Sequence, residues 1–231
     1  MEADALASVS GLASGTRALA VYEERWLQAP VGPMCVYLHG VSDPGNVGAI
    51  LRSAAAFGAS SVALGPGSAD PFSPKAVRAS MGAVFAVPLA RVDSVKELPG
   101  VRVALVPGAG RPLGELWRAS WSYDSSGAKV PDEAAVPPTP DEAAVPPTPD
   151  EAAVPPTPDE AAVPPTPDEA AVPPTPDEVS LLVGAEREGL PQPVIQAAHE
   201  VAHIPIATHS LNAAMAVTVA LYELATRMPR P

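Results

Sequence analysis

The sequence predicts an α/β fold: a parallel sheet with helices on both faces, interrupted by one long insertion. Three observations carry this. Short, near-continuous apolar runs alternate with segments of helical periodicity. A nine-residue unit is then repeated without change, and after it the same alternation resumes.

Taken in order, Cys35–His39 is an apolar run bounded by Gly40 and Pro44, as a buried strand would be. Asn46–Gly58 has helical composition, with Ile50, Leu51, Ala54 and Phe57 recurring at three- and four-residue intervals and Gly58 as its stop. Ser61–Leu64 reads as the next strand. Ser73-Pro74 has N-cap and first-turn chemistry for a helix to about Met81. Val84–Leu89 and Val101–Val106 read as further strands, with a short helix over Asp93–Leu98 between them. Beyond the repeat, Val179–Gly184 reads as a strand, Gln192–His199 as a helix and Val201–Ile206 as a strand. Ser210 is then placed to cap a long helix ending near Arg227. That last helix is apolar almost all round, which predicts burial.

The unit PDEAAVPPT runs five times from Pro131 to Thr175, and a sixth copy ends at Glu178. This 48-residue block holds six Asp, six Glu and no Lys or Arg, so it carries the whole net charge of −12. The other 183 residues hold 14 basic and 14 acidic side chains, and their neutrality neither supports nor opposes binding to nucleic acid. With sixteen prolines and no aromatic residue, the block cannot build a core and is expected to be disordered, a solvated spacer of contour up to ~150 Å. Lengthening a loop from about 6 to about 48 residues costs on the order of 2 kcal/mol, so one domain can tolerate the insertion. A docking array is the sharper alternative, since each PPTP has a P-x-x-P spacing, but no basic residue flanks any copy.

The lone cysteine, Cys35, excludes an internal disulfide and is expected to pack inside a strand. No signal-type N-terminus is visible, and the longest apolar stretch, Leu211 to Leu221, is shorter than the roughly 20 residues needed to span a bilayer. A soluble, cytoplasmic protein without a membrane segment is the expectation.

Three segments carry the chemistry. The first is Asp43-Pro44-Gly45-Asn46-Val47-Gly48-Ala49-Ile50-Leu51-Arg52-Ser53-Ala54-Ala55-Ala56-Phe57-Gly58-Ala59; the second is Gly184-Ala185-Glu186-Arg187-Glu188-Gly189-Leu190. The third is Ile204-Pro205-Ile206 followed by Ser210-Leu211-Asn212-Ala213-Ala214. Together and in this order they resemble the signature motifs of the SpoU/TrmH RNA methyltransferases, a branch of the SPOUT superfamily, and Asp70–Ala83 is similar to a further family segment. The resemblance covers roughly residues 35–110 and 179–227. It implies a C-terminal trefoil knot, a bent S-adenosylmethionine as cofactor, a homodimer formed partly by the last helix, and transfer of a methyl group to a ribose 2′-hydroxyl of rRNA or tRNA.

By the same correspondence Gly184, Gly189, Ile204 and Leu211 contact the cofactor: glycines allow close backbone approach, and the apolar side chains offer walls to the adenine. The arginine matching Arg52 is assigned a central catalytic role in the family. A guanidinium is effectively never neutral, so Arg52 is expected to grip a flanking phosphate and to stabilise charge on the 2′-oxygen, with Glu186 or a water taking the proton. Asn46, Ser210 and Asn212 complete the polar set. Each has a plain structural alternative, Ser210 as a helix N-cap and Asn46 as a turn residue.

Other candidates carry less. Gly108–Gly114 follows a strand, but its third glycine is one position late for a dinucleotide loop and Pro112 interrupts it. His199 and His203 are four apart across an expected helix-to-strand change, so no metal site is expected. The domain reading is residues 1–34 as an N-terminal segment, a remnant of an RNA-recognition domain; 35–130 as the first part of the methyltransferase domain; 131–178 as the insertion; and 179–231 as the knotted, cofactor-binding part. Only Ile206-Ala207-Thr208-His209 separates Pro205 from Ser210, a shorter turn than the family's. That shortness keeps open a second reading, a non-catalytic protein that binds RNA or cofactor.

Overall fold

The computed structural model describes residues 20–116, 177–207 and 211–227; all of the repeat block but its last two residues, Asp177 and Glu178, lies outside them, as does Ser210. The elements are β1 (Met34–His39), α1 (Pro44–Phe57), β2 (Ser61–Leu64), α2 (Pro74–Ser80), β3 (Leu89–Arg91), β4 (Val101–Leu105), β5 (Arg111–Pro112) and α3 (Leu113–Leu116). After the repeat come β6 (Val179–Gly184), α4 (Gln192–Gln196), β7 (Glu200–His203) and α5 (Ala213–Ala225).

Among the described residues the sheet has seven strands in the order β3-β2-β1-β6-β4-β7-β5, and every paired ladder is parallel. Both faces are covered. Met34, Val36 and Leu38 pack with the buried faces of α1 and α5, whereas Cys35 and Tyr37 pack with Val92, Val95, Leu98 and Leu190 on the other side. That alternation is the two-residue period of a strand buried on both faces. Burial raises the pKa of the Cys35 thiol, consistent with a packing role. β6 follows the repeat yet lies between β1 and β4: Val179 stands opposite both Met34 and Val101.

Several boundaries differ from the expected ones, each for a local reason. Met81 and Gly82 both have positive φ, 51° and 91°, so the chain leaves α2 through a tight turn. Val84–Leu89 is accordingly not a strand. Ala83–Phe85 forms a 3₁₀ turn, and pairing starts only at Leu89, after Pro88, which has no N–H to give to a ladder. Asp93–Leu98 contracts to one 3₁₀ turn, Val95–Glu97, capped by Ser94 and Glu97 in a reciprocal box. α4 ends at Gln196 instead of His199, because the His199 N–H bonds the Arg102 carbonyl at 2.9 Å and is drawn to the sheet. β7 stops at His203, two residues before Pro205. Ser73 does occupy the N-cap of α2, though without a side-chain capping bond.

The last helix is also not buried all round. Ala213, Val217, Ala220, Leu221 and Leu224 face the core, but Met215, Val219 and Tyr222 form an exposed stripe, 58%, 38% and 56% accessible. Its N-cap is Asn212, whose side-chain oxygen accepts from the Ala214 N–H at 2.9 Å and the Met215 N–H at 3.4 Å.

Candidate active site

The carboxyl ends of β1, β4, β6 and β7 converge on one rim, the place where open parallel sheets bind ligands. β6 delivers Gly184 opposite His39, and the chain then turns back through Ala185–Gly189. The Gly189 N–H bonds the Ala185 carbonyl at 2.9 Å, and Gly189 has φ +69°. A Cβ on Gly184 would lie 2.1 Å from the Gly189 carbonyl carbon, so it is the closure of this loop on itself that excludes a side chain there. At Gly189 a Cβ would meet nothing within 4 Å, and the positive φ alone favours glycine.

Under this loop lies a cleft of about 390 Å³. Leu105, Val183, Leu190, Ile195, Ile204 and Leu211 supply apolar walls, and Gly184, Glu186, Gly189 and His203 supply polar or backbone surface. A volume of that size falls in the range of small-molecule sites.

Glu186 sits at the mouth and is held by two amides from other segments. Asn46 Nδ2 and Asn212 Nδ2 both donate to Glu186 Oε1, the second at 2.7 Å, and Asn212 Nδ2 also reaches Asn46 Oδ1 at 3.1 Å. Among the described residues Oε2 accepts no hydrogen bond. Asn46 lies in the first turn of α1, whose cap is Asp43; Asn212 is itself the cap of α5. Two turns further on, Ser53 Oγ and Thr218 Oγ1 are 2.6 Å apart, and Thr218 donates onward to the Ala214 carbonyl, so the Ser53 hydroxyl donates to Thr218. This pin, with Val47, Ile50 and Leu51 packed in one core with Val217 and Leu221, sets the two helices side by side so that their first-turn amides meet. Asp43 is ion-paired with Lys75, and that hydrogen bond, ahead of all other causes, lowers its carboxyl pKa.

The motif residues therefore divide as follows. Gly184, Glu186, Gly189, Ile204 and Leu211 line the cleft; Asn46 and Asn212 clamp Glu186. Arg52 does not line the cleft. It is exposed on α1, about 9 Å along the axis and about 120° around it from Asn46. Ser210 lies outside the described residues, as do Thr208 and His209 of the short turn before it. His203 and the β4 end, Leu105–Pro107, line the cleft without being expected to. His203 points its Nδ1 at the Ala109 carbonyl, 3.2 Å away, whereas His199 pairs with Arg102, so the two histidines do not share a ligand. Among the described residues no group of three or more His, Cys, Asp or Glu is placed to hold a metal ion.

Residues 33–101 and 155–222, more than half of the chain, match the SpoU rRNA Methylase family. The chain belongs to that family. This SpoU-family chain is 49% identical over 57 residues to mouse mitochondrial rRNA methyltransferase 3, covering 25% of itself and 14% of that protein. Against the 23S rRNA (guanosine(2553)-2′-O)-methyltransferase of Bacillus subtilis it is 40% identical over 72 residues, 29% of each chain. An AdoMet-bound rRNA methyltransferase from Sinorhizobium meliloti superposes with TM-score 0.59 at 27% identity, over 90% of this chain and 63% of that one. The SpoU-family chain thus spans less than a third of these curated relatives and under two thirds of that solved structure.

Proposed function

We propose that the chain transfers a methyl group from S-adenosylmethionine to a ribose 2′-hydroxyl of rRNA or tRNA. The observation that carries this reading is a carboxylate, Glu186, clamped by Asn46 and Asn212 at the mouth of an apolar cleft. Both curated relatives described above are named as rRNA methyltransferases, one of them as acting at a 2′-oxygen, and the matched solved structure is described as AdoMet-bound.

The cleft suits the cofactor. Ile204 and Leu211 both line it as apolar walls for a purine, and Gly184 and Gly189 offer backbone hydrogen-bonding groups without side chains of their own. When bound, S-adenosylmethionine supplies a methyl group made electrophilic by its sulfonium. Glu186 takes the proton from the 2′-oxygen: Oε1 is committed to the two amides, which fixes the carboxylate and leaves Oε2 for the hydroxyl. Arg52, exposed on the same helix as Asn46, grips the phosphate next to the target ribose. Ser210 completes the polar set.

The insertion of β6 between β1 and β4 supports one domain made of 35–130 and 179–231, split by the block 131–178. We take its C-terminal part to be knotted, the protein to be cytoplasmic, and residues 1–34 to be a segment outside the methyltransferase domain. Among the described residues no helix is long and apolar enough to cross a membrane. The exposed stripe Met215, Val219 and Tyr222 supports a homodimer through α5.

Calorimetry with S-adenosylmethionine, paired with tritiated-methyl transfer to bulk RNA and mapping of 2′-O-methyl nucleotides, tests the reading. Binding together with transfer to a 2′-oxygen is expected. Binding without transfer would establish the non-catalytic alternative.

A further inference from the structure

A second cleft, of about 260 Å³, opens on the same rim, floored by the ends of β2 and β3 and by the loop Gly65–Pro71. Its side wall is Trp26, held there because the Leu27 N–H bonds the Leu89 carbonyl of the edge strand at 2.7 Å. The Arg91 guanidinium lies 4.3 Å over the Trp26 ring, and Phe72 meets that ring edge-on at 5.4 Å. Two carboxylates line the cleft. Asp70 spends one oxygen on the Phe72 N–H at 3.0 Å, while the exposed Asp93 side chain accepts no hydrogen bond from the described residues.

The loop Gly40–Asp43 touches the linings of both clefts. The Gly40 N–H bonds the Pro66 carbonyl at 3.0 Å, and the Ala69 N–H bonds the Val41 carbonyl at 2.9 Å. On its far side, a Cβ on Gly40 would lie 3.5 Å from Cβ of Ala185, in the loop that carries Glu186.

A flat cation stacked on an aromatic ring, exposed to solvent and accompanied by an untied carboxylate, matches the needs of an unpaired nucleobase. Arginine planes and aromatic rings stack bases splayed out of single strands. A carboxylate accepts from an exocyclic amino group but repels the carbonyl oxygens that flank the lone N–H of uracil. We propose that the second cleft is a nucleobase subsite: it stacks an unpaired, amino-bearing base of the RNA on Arg91 and Trp26, with Asp93 accepting from the amino group. That base belongs to a near neighbour of the nucleotide presented to Glu186, so the inference rests on the RNA methyltransferase reading.

The test measures anisotropy of short 5′-labelled oligocytidylate and oligouridylate with the full chain, and S-adenosylmethionine affinity by calorimetry on the same samples. Wild type is expected to prefer oligocytidylate by about tenfold. Arg91→Ala and Trp26→Ala each weaken oligocytidylate binding about tenfold, Trp26→Phe restores most of it, and Asp93→Asn removes the preference over oligouridylate. Cofactor affinity stays unchanged throughout. Equal binding of the two oligomers by wild type, or binding indifferent to Arg91→Ala and Asp93→Asn, overturns the subsite even if the cofactor binds. Loss of cofactor binding in the wild type instead sinks the methyltransferase reading, and the oligomer comparison still decides whether the cleft takes a base.

Discussion

The two clefts share one rim but are built on opposite plans. In the first, the carboxylate is tied down: Glu186 receives two amide donors from two helices that are themselves pinned together at Ser53 and Thr218. In the second, the carboxylate of Asp93 accepts no hydrogen bond from the described residues, and rigidity resides in the stack of Arg91 on Trp26. A group that moves a proton must be held to a few tenths of an ångström, whereas one that only recognises a flat, mobile ligand gains from being able to follow it. If that contrast is correct, disturbing the first cleft should damage rate, and disturbing the second should damage selection.

The largest effect is therefore expected at Glu186. Glu186→Gln keeps length and shape but removes the proton acceptor, and methyl transfer should fall about 10²- to 10⁴-fold while S-adenosylmethionine affinity changes little. A rate close to that of wild type would mean that the proton leaves by another route. Arg52→Lys complements this: the charge stays but the planar fork is lost. Transfer should drop severely with cofactor affinity intact if Arg52 positions a phosphate, and only modestly if it acts as a point charge.

Glycines under the two clefts sharpen the comparison. A Cβ on Gly184 would meet the Gly189 backbone at 2.1 Å, and one on Gly65 would meet the Tyr37 hydroxyl at 2.2 Å. Backbone closing a hairpin cannot retreat, whereas a ring can tilt at the expense of its hydrogen bond. Gly184→Ala should cost about 3 kcal/mol in urea unfolding and abolish cofactor binding; Gly65→Ala should cost about 1–2 kcal/mol and leave cofactor binding measurable. Equal costs would show that the first loop can open.

Much of this is legible in the sequence, and the line between what is and is not is physical. β2 and β6 match their expected ranges because a strand buried on both faces has no choice but a continuous apolar run. Gly58, at φ 74°, ends α1 as read, since a left-handed C-cap selects glycine. The 3₁₀ turn at Ala83–Phe85 resembles a strand in sequence because Val84 within it and Val87 just after it are as buried as strand residues, so apolar content does not tell turn from ladder. At the site, the motifs brought out Asn46, Glu186 and Asn212, but not that Asn212 both caps α5 and clamps Glu186. Composition records one residue, not how its amide divides its oxygen and nitrogen. His203 entered only as a metal candidate, and nothing local marks it as a cleft wall. The second cleft is not legible because Trp26, Asp70 and Arg91 are far apart in sequence: the pairing of Leu27 with β3 brings Trp26 to Arg91, and the bond of the Ala69 N–H to the Val41 carbonyl holds the loop that carries Asp70.

That double use of Asn212 predicts a separable pair of effects. Asn212→Ala should cost about 1 kcal/mol of stability through the lost cap, and should also slow transfer by loosening Glu186. Asn212→Asp retains an oxygen for the Ala214 and Met215 N–H groups but sets a second carboxylate beside Glu186. Its unfolding midpoint should stay near that of wild type while transfer still falls. If Asn212→Asp keeps full activity, the clamp does not matter to the chemistry.

The smallest effect expected is a pH dependence from the Tyr37–His39 pair at the end of β1. Tyr37 Oη lies 2.8 Å from His39 Nδ1, and burial pulls the His39 pKa below its ordinary value. Burial, helped by the negative charge of Glu97, pushes the Tyr37 phenol up to about 12. Both shifts favour the neutral forms, in which the phenol can donate to an unprotonated Nδ1. For His39 the folded state binds its proton more weakly than the unfolded chain, so its contribution is complete above pH about 6.5 and is lost as pH falls through the depressed folded value. For Tyr37 the sign reverses: the contribution is complete below pH about 10 and is lost as pH rises towards 12. Asp43, depressed by Lys75, also loses its contribution in acid, but only as pH falls from its ordinary value of 3.8 through the lowered one, well below the histidine's range. Urea midpoints measured against pH should accordingly show a plateau with a shoulder on each side. Tyr37→Phe, which keeps the ring that Gly65 packs against, should shrink the alkaline shoulder to the part that the buried Cys35 thiol contributes and leave the acid one; an alkaline shoulder unchanged by the substitution would place the titrating group elsewhere.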